Sequence, residues 1–224
     1  MKAFIYAMEK EANPLRERTE LLKIVKHGAA VYELRKGKME EFVLVVSGIG
    51  KTLSAMAISA LPILFPNVDN VINLGVSGSL DVEKLPPFSF FFPTSFVNHD
   101  IDTTPLGDPR GLFFGTDKVY FEADKDLHYF LLSRIKDEKH VDNGVAVAGD
   151  CFIASKEQSD FLKKEWNALT CDMESASLAA GAYTLGLSFA AVKIISDSSS
   201  SASEYEKNVR LASDMLAEYA YRLV

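Results

Sequence analysis

The sequence predicts a layered α/β fold, a three-layer sandwich built on a mixed central sheet, and three observations predict it. Short strand-like runs alternate with helix-like runs along most of the chain, the pattern of sheets covered by helices. The aromatic and β-branched stretch 88–97 follows Pro86-Pro87 with no helix between, which breaks a purely parallel order. The 224 residues carry no linker-like segment beyond the short run Ser198 to Ser203, so residues 1–224 read as a single domain with one substantial core.

In chain order, residues 3–7 read as the first strand and 10–22 as a helix. Residues 42–46 form the next strand, 52–64 a helix, and 68–76 an apolar strand ending in a glycine loop. Beyond the aromatic stretch, helices are expected over 125–136 and 156–166, with a strand at 145–148 between them. Residues 175–185 are Ala- and Leu-rich and meet Gly186, a helix stop; residues 189–195 are a continuous apolar strand. The chain closes in a helix whose Ala212, Leu216, Tyr219 and Leu223 recur at steps of three and four, giving it one core-facing side.

Composition narrows the function. A net charge of −7 argues against a general nucleic-acid binder, because such proteins need an excess of Lys and Arg to displace phosphate counterions. No apolar run approaches the roughly 20 residues that span a bilayer, and Glu9 and Glu11 follow the first apolar run too soon for a signal peptide, so no membrane is implied and a cytoplasmic site is expected. Cys151 and Cys171, without a secretory context, are expected as buried free thiols. His99-Asp100-Ile101-Asp102 lacks further ligands at metal spacing and reads as a surface turn. No Gly-x-Ser-x-Gly elbow is present, and neither cysteine has a neighbouring histidine.

Chemistry is concentrated where strands break off. Three acids, Glu11, Glu174 and Asp197, follow apolar strand-like runs, and the crevice at strand ends is where open α/β sheets bind ligands. Two glycine loops, Ser47-Gly48-Ile49-Gly50-Lys51 and Gly75-Val76-Ser77-Gly78, let backbone approach a ligand; the first lacks Walker A spacing. Gly149-Asp150-Cys151-Phe152-Ile153 ends another strand with a ring on which a flat ligand can stack, or which belongs to the core.

Taken in order, these segments, with Ala7-Met8-Glu9-Lys10-Glu11, His99-Asp100-Ile101-Asp102, Asp172-Met173-Glu174 and Ile195-Ser196-Asp197, resemble the nucleoside phosphorylase and nucleosidase superfamily. The likeness spans nearly the whole chain and is nearest to the 5′-methylthioadenosine/S-adenosylhomocysteine nucleosidase branch. That resemblance implies hydrolysis of the N-glycosidic bond of a purine nucleoside, releasing adenine and the thioribose in methionine salvage, with water as co-substrate and with no metal and no organic cofactor. It implies Glu11 as the base that orients and deprotonates water, Asp197 as the acid toward the purine, and Ser196 among the substrate-binding residues. It implies Glu174 on the ribose hydroxyls with Met173 against the sugar, Phe152 stacked on the purine, and the Ile153 backbone at the purine edge. Met8, Ile49 and Val76 are implied around the sugar, and Lys193 beside substrate where the branch usually carries Arg. A homodimer is implied, with Leu112-Phe113-Phe114 as a candidate contact.

Three rivals differ in what they require. A futalosine-type hydrolase needs the same acids with another substituent on the nucleoside. A phosphorylase needs fixed cations for phosphate, yet residues 1–11 contain no Arg and Glu11 would repel the anion. A noncatalytic nucleoside binder would not need all three acids. Ser198 to Ser203 reads as a reduced lid.

Overall fold

The computed structural model describes residues 1–199 and 202–224. Its elements run β1 (Lys2–Tyr6), α1 (Glu9–Arg16), β2 (Glu20–His27), β3 (Ala30–Lys36), β4 (Glu41–Val46), α2 (Lys51–Leu64), β5 (Asn70–Ser79), β6 (Phe90–Phe91), β7 (Ser95–Asn98) and β8 (Phe121–Glu122). They continue α3 (Lys125–Leu132), β9 (His140–Val141), β10 (Val145–Ala148), α4 (Lys156–Trp166), β11 (Ala168–Asp172), α5 (Ser175–Leu185), β12 (Ser188–Asp197) and α6 (Ala202–Tyr221).

All described strands join one mixed sheet. Its path is β2-β3-β4-β1-β5-β11-β10-β7-β8, while β12 pairs with β5 and β6, and β6 with β9. The centre is parallel: β1 lies between β4 and β5, and β12 runs parallel along β5. Antiparallel pairs sit at the β2-β3-β4 edge and where β5 meets β11.

The central strands bury both faces, as parallel strands covered by helices must. In β1, Ala3 and Ile5 pack with α2 and α5 residues such as Ile58, Leu61 and Leu178, while Phe4 and Tyr6 pack with Leu15 of α1 and Leu216 and Tyr219 of α6. This alternation is the three-layer sandwich. The expected core-facing side is fully buried at Ala212, Leu216 and Tyr219 of α6 and at Leu223 just beyond its end, and truncating Leu216 to Ala would cost about 2–5 kcal/mol.

Several boundaries differ from the sequence reading. The first helix stops at Arg16 instead of running to 22, because Leu21, Leu22, Ile24 and Val25 belong to the edge strand β2, paired with β3 around Gly28. The sequence reading missed that hairpin: β2 is largely solvent-exposed and lacks a clean apolar alternation. The stretch 88–97 divides into β6 and β7 around Pro93, which has no amide for a ladder. The helix expected to reach 136 ends at Leu132. The second glycine segment is not a loop: residues 75–79 remain strand because β12 on one side and β11 on the other hold their backbone. Among the described residues no helix is long and apolar enough to cross a membrane.

Candidate active site

The C-terminal ends of β1, β4, β5, β10, β11 and β12 surround a cleft with about 690 Å³ of empty space, part of it open to solvent. Ten of the eleven expected site residues line it: Met8, Glu11, Ile49, Val76, Phe152, Ile153, Met173, Glu174, Ser196 and Asp197.

Glu11 stands on the first turn of α1, 2% exposed. Its carboxylate accepts from the Met8 amide at 3.0 Å, the acidic half of a capping box, and from the Val76 amide at 2.9 Å. Val76 therefore serves through its backbone, which makes its apolar side chain no obstacle. Burial pushes the Glu11 pKa above the ordinary carboxylate range, against the two amides and the positive charges of Lys193 and Lys10.

Glu174 precedes α5 and accepts from the Gly50 amide at 2.8 Å. Burial, then the neighbouring charges of Asp172 and Glu11, raise its pKa, while Lys193 and the Gly50 amide oppose the rise.

Asp197 owes its aim to an irregularity. The β12–β5 register shifts between Ile195 and Asp197, so Ser196 is an extra residue and Asp197 falls opposite Gly78. A side chain at 78 would put its Cβ 2.2 Å from the Ser199 Oγ and 3.1 Å from the Asp197 Oδ1, so the approach needs glycine. Asp197 accepts from the Ser199 amide at 2.9 Å and from the Ser196 hydroxyl at 2.7 Å. Its pKa is raised by burial, with Glu204 adding to the rise.

Lys193 differs from expectation. It is 1% exposed, does not line the cleft, and lies under it with Nζ 3.0 Å from Asp172 Oδ2. Strand alternation points it into the interior, where its charge acts on Glu11 and Glu174 from below.

The wall around Phe152 is more open. Phe152 is 47% exposed, which removes the reading of it as core, and its ring meets Tyr205 edge-on at 5.5 Å. Tyr205, from the first turn of α6, also lines the cleft and places its hydroxyl 3.6 Å from the Met8 sulfur. The sequence reading missed Tyr205, since the apolar period of the last helix begins beyond it. It also passed over Asp172, although that acid stood inside a quoted motif. Of the expected lid, residues 200 and 201 lie outside the described residues, and Ser198 donates to Glu204.

Two further expectations change. Cys171 is buried, with its thiol pKa pushed up by burial to about 12, but Cys151 is only half-buried and lines the cleft. The segment His99 to Asp102 leaves β7 in a turn with Asp100 and Asp102 exposed, but His99 itself is buried, its ring 6.4 Å from Trp166. Among the described residues no group of three or more His, Cys, Asp or Glu is placed to hold a metal ion.

The whole chain, residues 2–224, matches the family model of the phosphorylase superfamily. It is 32% identical over 160 residues to the aminodeoxyfutalosine nucleosidase of Helicobacter pylori strain J99, covering 70% of this chain and 68% of that one. It is 30% identical over 216 residues to the 5′-methylthioadenosine/S-adenosylhomocysteine nucleosidase of Buchnera aphidicola subsp. Baizongia pistaciae, covering 93% and 83%. Among solved structures, the 5′-methylthioadenosine/S-adenosylhomocysteine nucleosidase from Neisseria meningitidis, in complex with methylthio-immucillin-A, superposes with a TM-score of 0.91 at 26% identity over 99% of this chain and 97% of that one. Fold and cleft thus define an enzyme of the class that cleaves N-glycosidic bonds. The chain belongs to the phosphorylase superfamily and falls with its nucleosidases.

Proposed function

We propose that this protein hydrolyses the N-glycosidic bond of 5′-methylthioadenosine or S-adenosylhomocysteine, releasing adenine. The observation that carries the reading is Glu11: a buried carboxylate, gripped by two amides and raised in pKa, occupies the water side of the cleft. A base is most effective when its pKa approaches the working pH, and a carboxylate there repels the phosphate a phosphorylase would need. Asp197 lines the same cleft and is buried with a raised pKa, which favours the protonated form required of an acid.

In this mechanism Glu174 accepts the ribose hydroxyls while Met173 packs on the sugar, and Phe152 stacks on the purine with the Ile153 backbone at its edge. Met8 and Ile49 wall the sugar. Asp197, oriented by Ser196, gives its proton to the purine as the bond from C1′ to the base breaks and its electrons pass to the ring. Glu11 takes a proton from water as its oxygen bonds to C1′. Separate carboxylates on the leaving-group and water sides follow the inverting logic of glycoside hydrolysis. Lys193, paired with Asp172, serves as a buried counter-charge beneath both acids. The protein works in the cytoplasm as a homodimer; Phe114 is 58% exposed and available for that contact, whereas Phe113 packs on Phe121.

A second reading has its own support. The 32% identity to an aminodeoxyfutalosine nucleosidase favours a nucleoside with a different 5′ substituent on the same machinery. The test is incubation with methylthioadenosine, adenosylhomocysteine, aminodeoxyfutalosine, futalosine and adenosine, with and without phosphate, measuring free base and sugar. Base release from the first two, indifferent to phosphate, is expected. Turnover only with phosphate would overturn hydrolysis, release only from the futalosine-type nucleosides would select the second reading, and no turnover of any would leave a binder.

A further inference from the structure

Two successive amides at the start of α2 hold two different halves of the cleft. The Gly50 amide donates to Glu174 on the sugar side at 2.8 Å. The next amide, Lys51, donates to Asp150 Oδ1 at 2.7 Å, and Asp150 belongs to the segment that carries Cys151, Phe152 and Ile153 on the base side. Asp100 completes the tie. Its Oδ2 accepts from the Asp150 amide at 2.9 Å, and its Oδ1 is ion-paired with the Lys51 ammonium. That ammonium and the Asp150 amide hold the Asp100 pKa low although burial alone would raise it.

The backbone is shaped for this tie. Gly50 has φ +95°, a region that L side chains rarely adopt, and a Cβ there would lie 2.8 Å from Asp150 Oδ1. The Ser177 hydroxyl donates to the Lys51 carbonyl at 3.0 Å and so binds α5, the helix behind Glu174, to the same turn. Carboxylates are favoured at a helix N-terminus, and here each of the two anchors one recognition element.

We propose that Asp150 and Asp100 are positioning residues that, through Lys51, lock the base platform at a fixed distance from the ribose anchor. They touch the ligand only through what they hold. The proposal rests on the nucleosidase reading, because it assigns base to Phe152 and sugar to Glu174. Its consequence is specific: base and sugar subsites bind a whole nucleoside better than they bind the separate pieces, since the spacing is set before the ligand arrives.

The experiment compares wild type with Asp150→Ala, Asp150→Asn and Asp100→Asn, each checked for folding by thermal melting. Calorimetry measures the affinity for free adenine and for an uncleavable adenine nucleoside analogue, beside kcat and KM for methylthioadenosine. For Asp150→Ala, nucleoside affinity and kcat/KM are expected to fall by about tenfold or more, while adenine affinity stays within about twofold. Asp150→Asn, which keeps an acceptor for the Lys51 amide, is expected to recover most of the loss, and Asp100→Asn to fall between. Equal losses for adenine and nucleoside, or no loss in either, would overturn the tie. The binding comparison needs no turnover. A protein that binds nucleoside without cleaving it would refute the proposed reaction and still test the lock, and an Asp150→Ala variant that does not fold leaves Asp100→Asn to decide.

Discussion

The two sides of the cleft are built differently. Deep in the cleft, Glu11 and Glu174 are buried, and both are held by backbone amides above the sealed pair of Lys193 and Asp172. At the mouth of the cleft, Phe152 and Ile49 are about half exposed, and Tyr205 reaches across from another helix. In the proposed reaction the difference separates two jobs. The base Glu11 and the sugar anchor Glu174 gain from a fixed, dry setting, whereas the wall around Phe152, through which ligand would enter, must remain open. Asp197 joins the two: it is buried like Glu11, yet it is held by Ser196 at the end of β12 and by the Ser199 amide just beyond it.

The largest expected effect comes from removing the proton carriers. Glu11→Gln keeps the size and loses the base, and turnover is expected to fall by roughly 10²–10⁴, as is typical of general acid–base groups. Asp197→Asn should cost a similar factor for purine substrates, with the fold intact by melting. A rate within about threefold of wild type in either variant would remove that residue from its role.

Lys193→Met tests the buried pair and is expected to act twice. Leaving Asp172 unpaired in the interior should cost about 3–5 kcal/mol of stability, measured by denaturant unfolding. The pH dependence should change as well. Lys193 holds down the pKa of Glu11 and Glu174, so without it burial pushes both higher. Because Glu11 must be ionised to act, the acidic limb of the pH–rate profile should move to higher pH. A variant of unchanged stability and unchanged acidic limb would show that the pair is dispensable.

The smallest effect belongs to the open wall. Phe152→Ala removes one face of stacking, worth about 1 kcal/mol, and should raise KM several-fold while leaving kcat nearly unchanged. A large loss in kcat instead would place Phe152 among the groups that act on the reacting atoms, and the contrast between the two sides would fail.

Much of this was legible in the sequence, and the parts that were not have identifiable causes. The three acids could be read because each stands at the end of a buried strand, where period and composition change together. Helix 175–185 was bounded by its own stop signal, Gly186. The β2–β3 hairpin was not readable, because its edge strand is exposed on both faces and reads locally like a polar helix. Lys193 reads as a ligand-facing cation until the pairing of β12 turns it inward onto Asp172, a contact between residues 21 apart in sequence. Tyr205 is brought to Phe152 and Met8 only by tertiary packing.

The most direct measurement is turnover of methylthioadenosine in ¹⁸O-labelled water with phosphate present, followed by mass analysis of the sugar. Attack by a water activated at Glu11 requires one labelled oxygen at C1′ of a free pentose, at a rate independent of phosphate. An unlabelled sugar 1-phosphate, formed only when phosphate is supplied, would contradict the reading of the buried Glu11 side as the place of water.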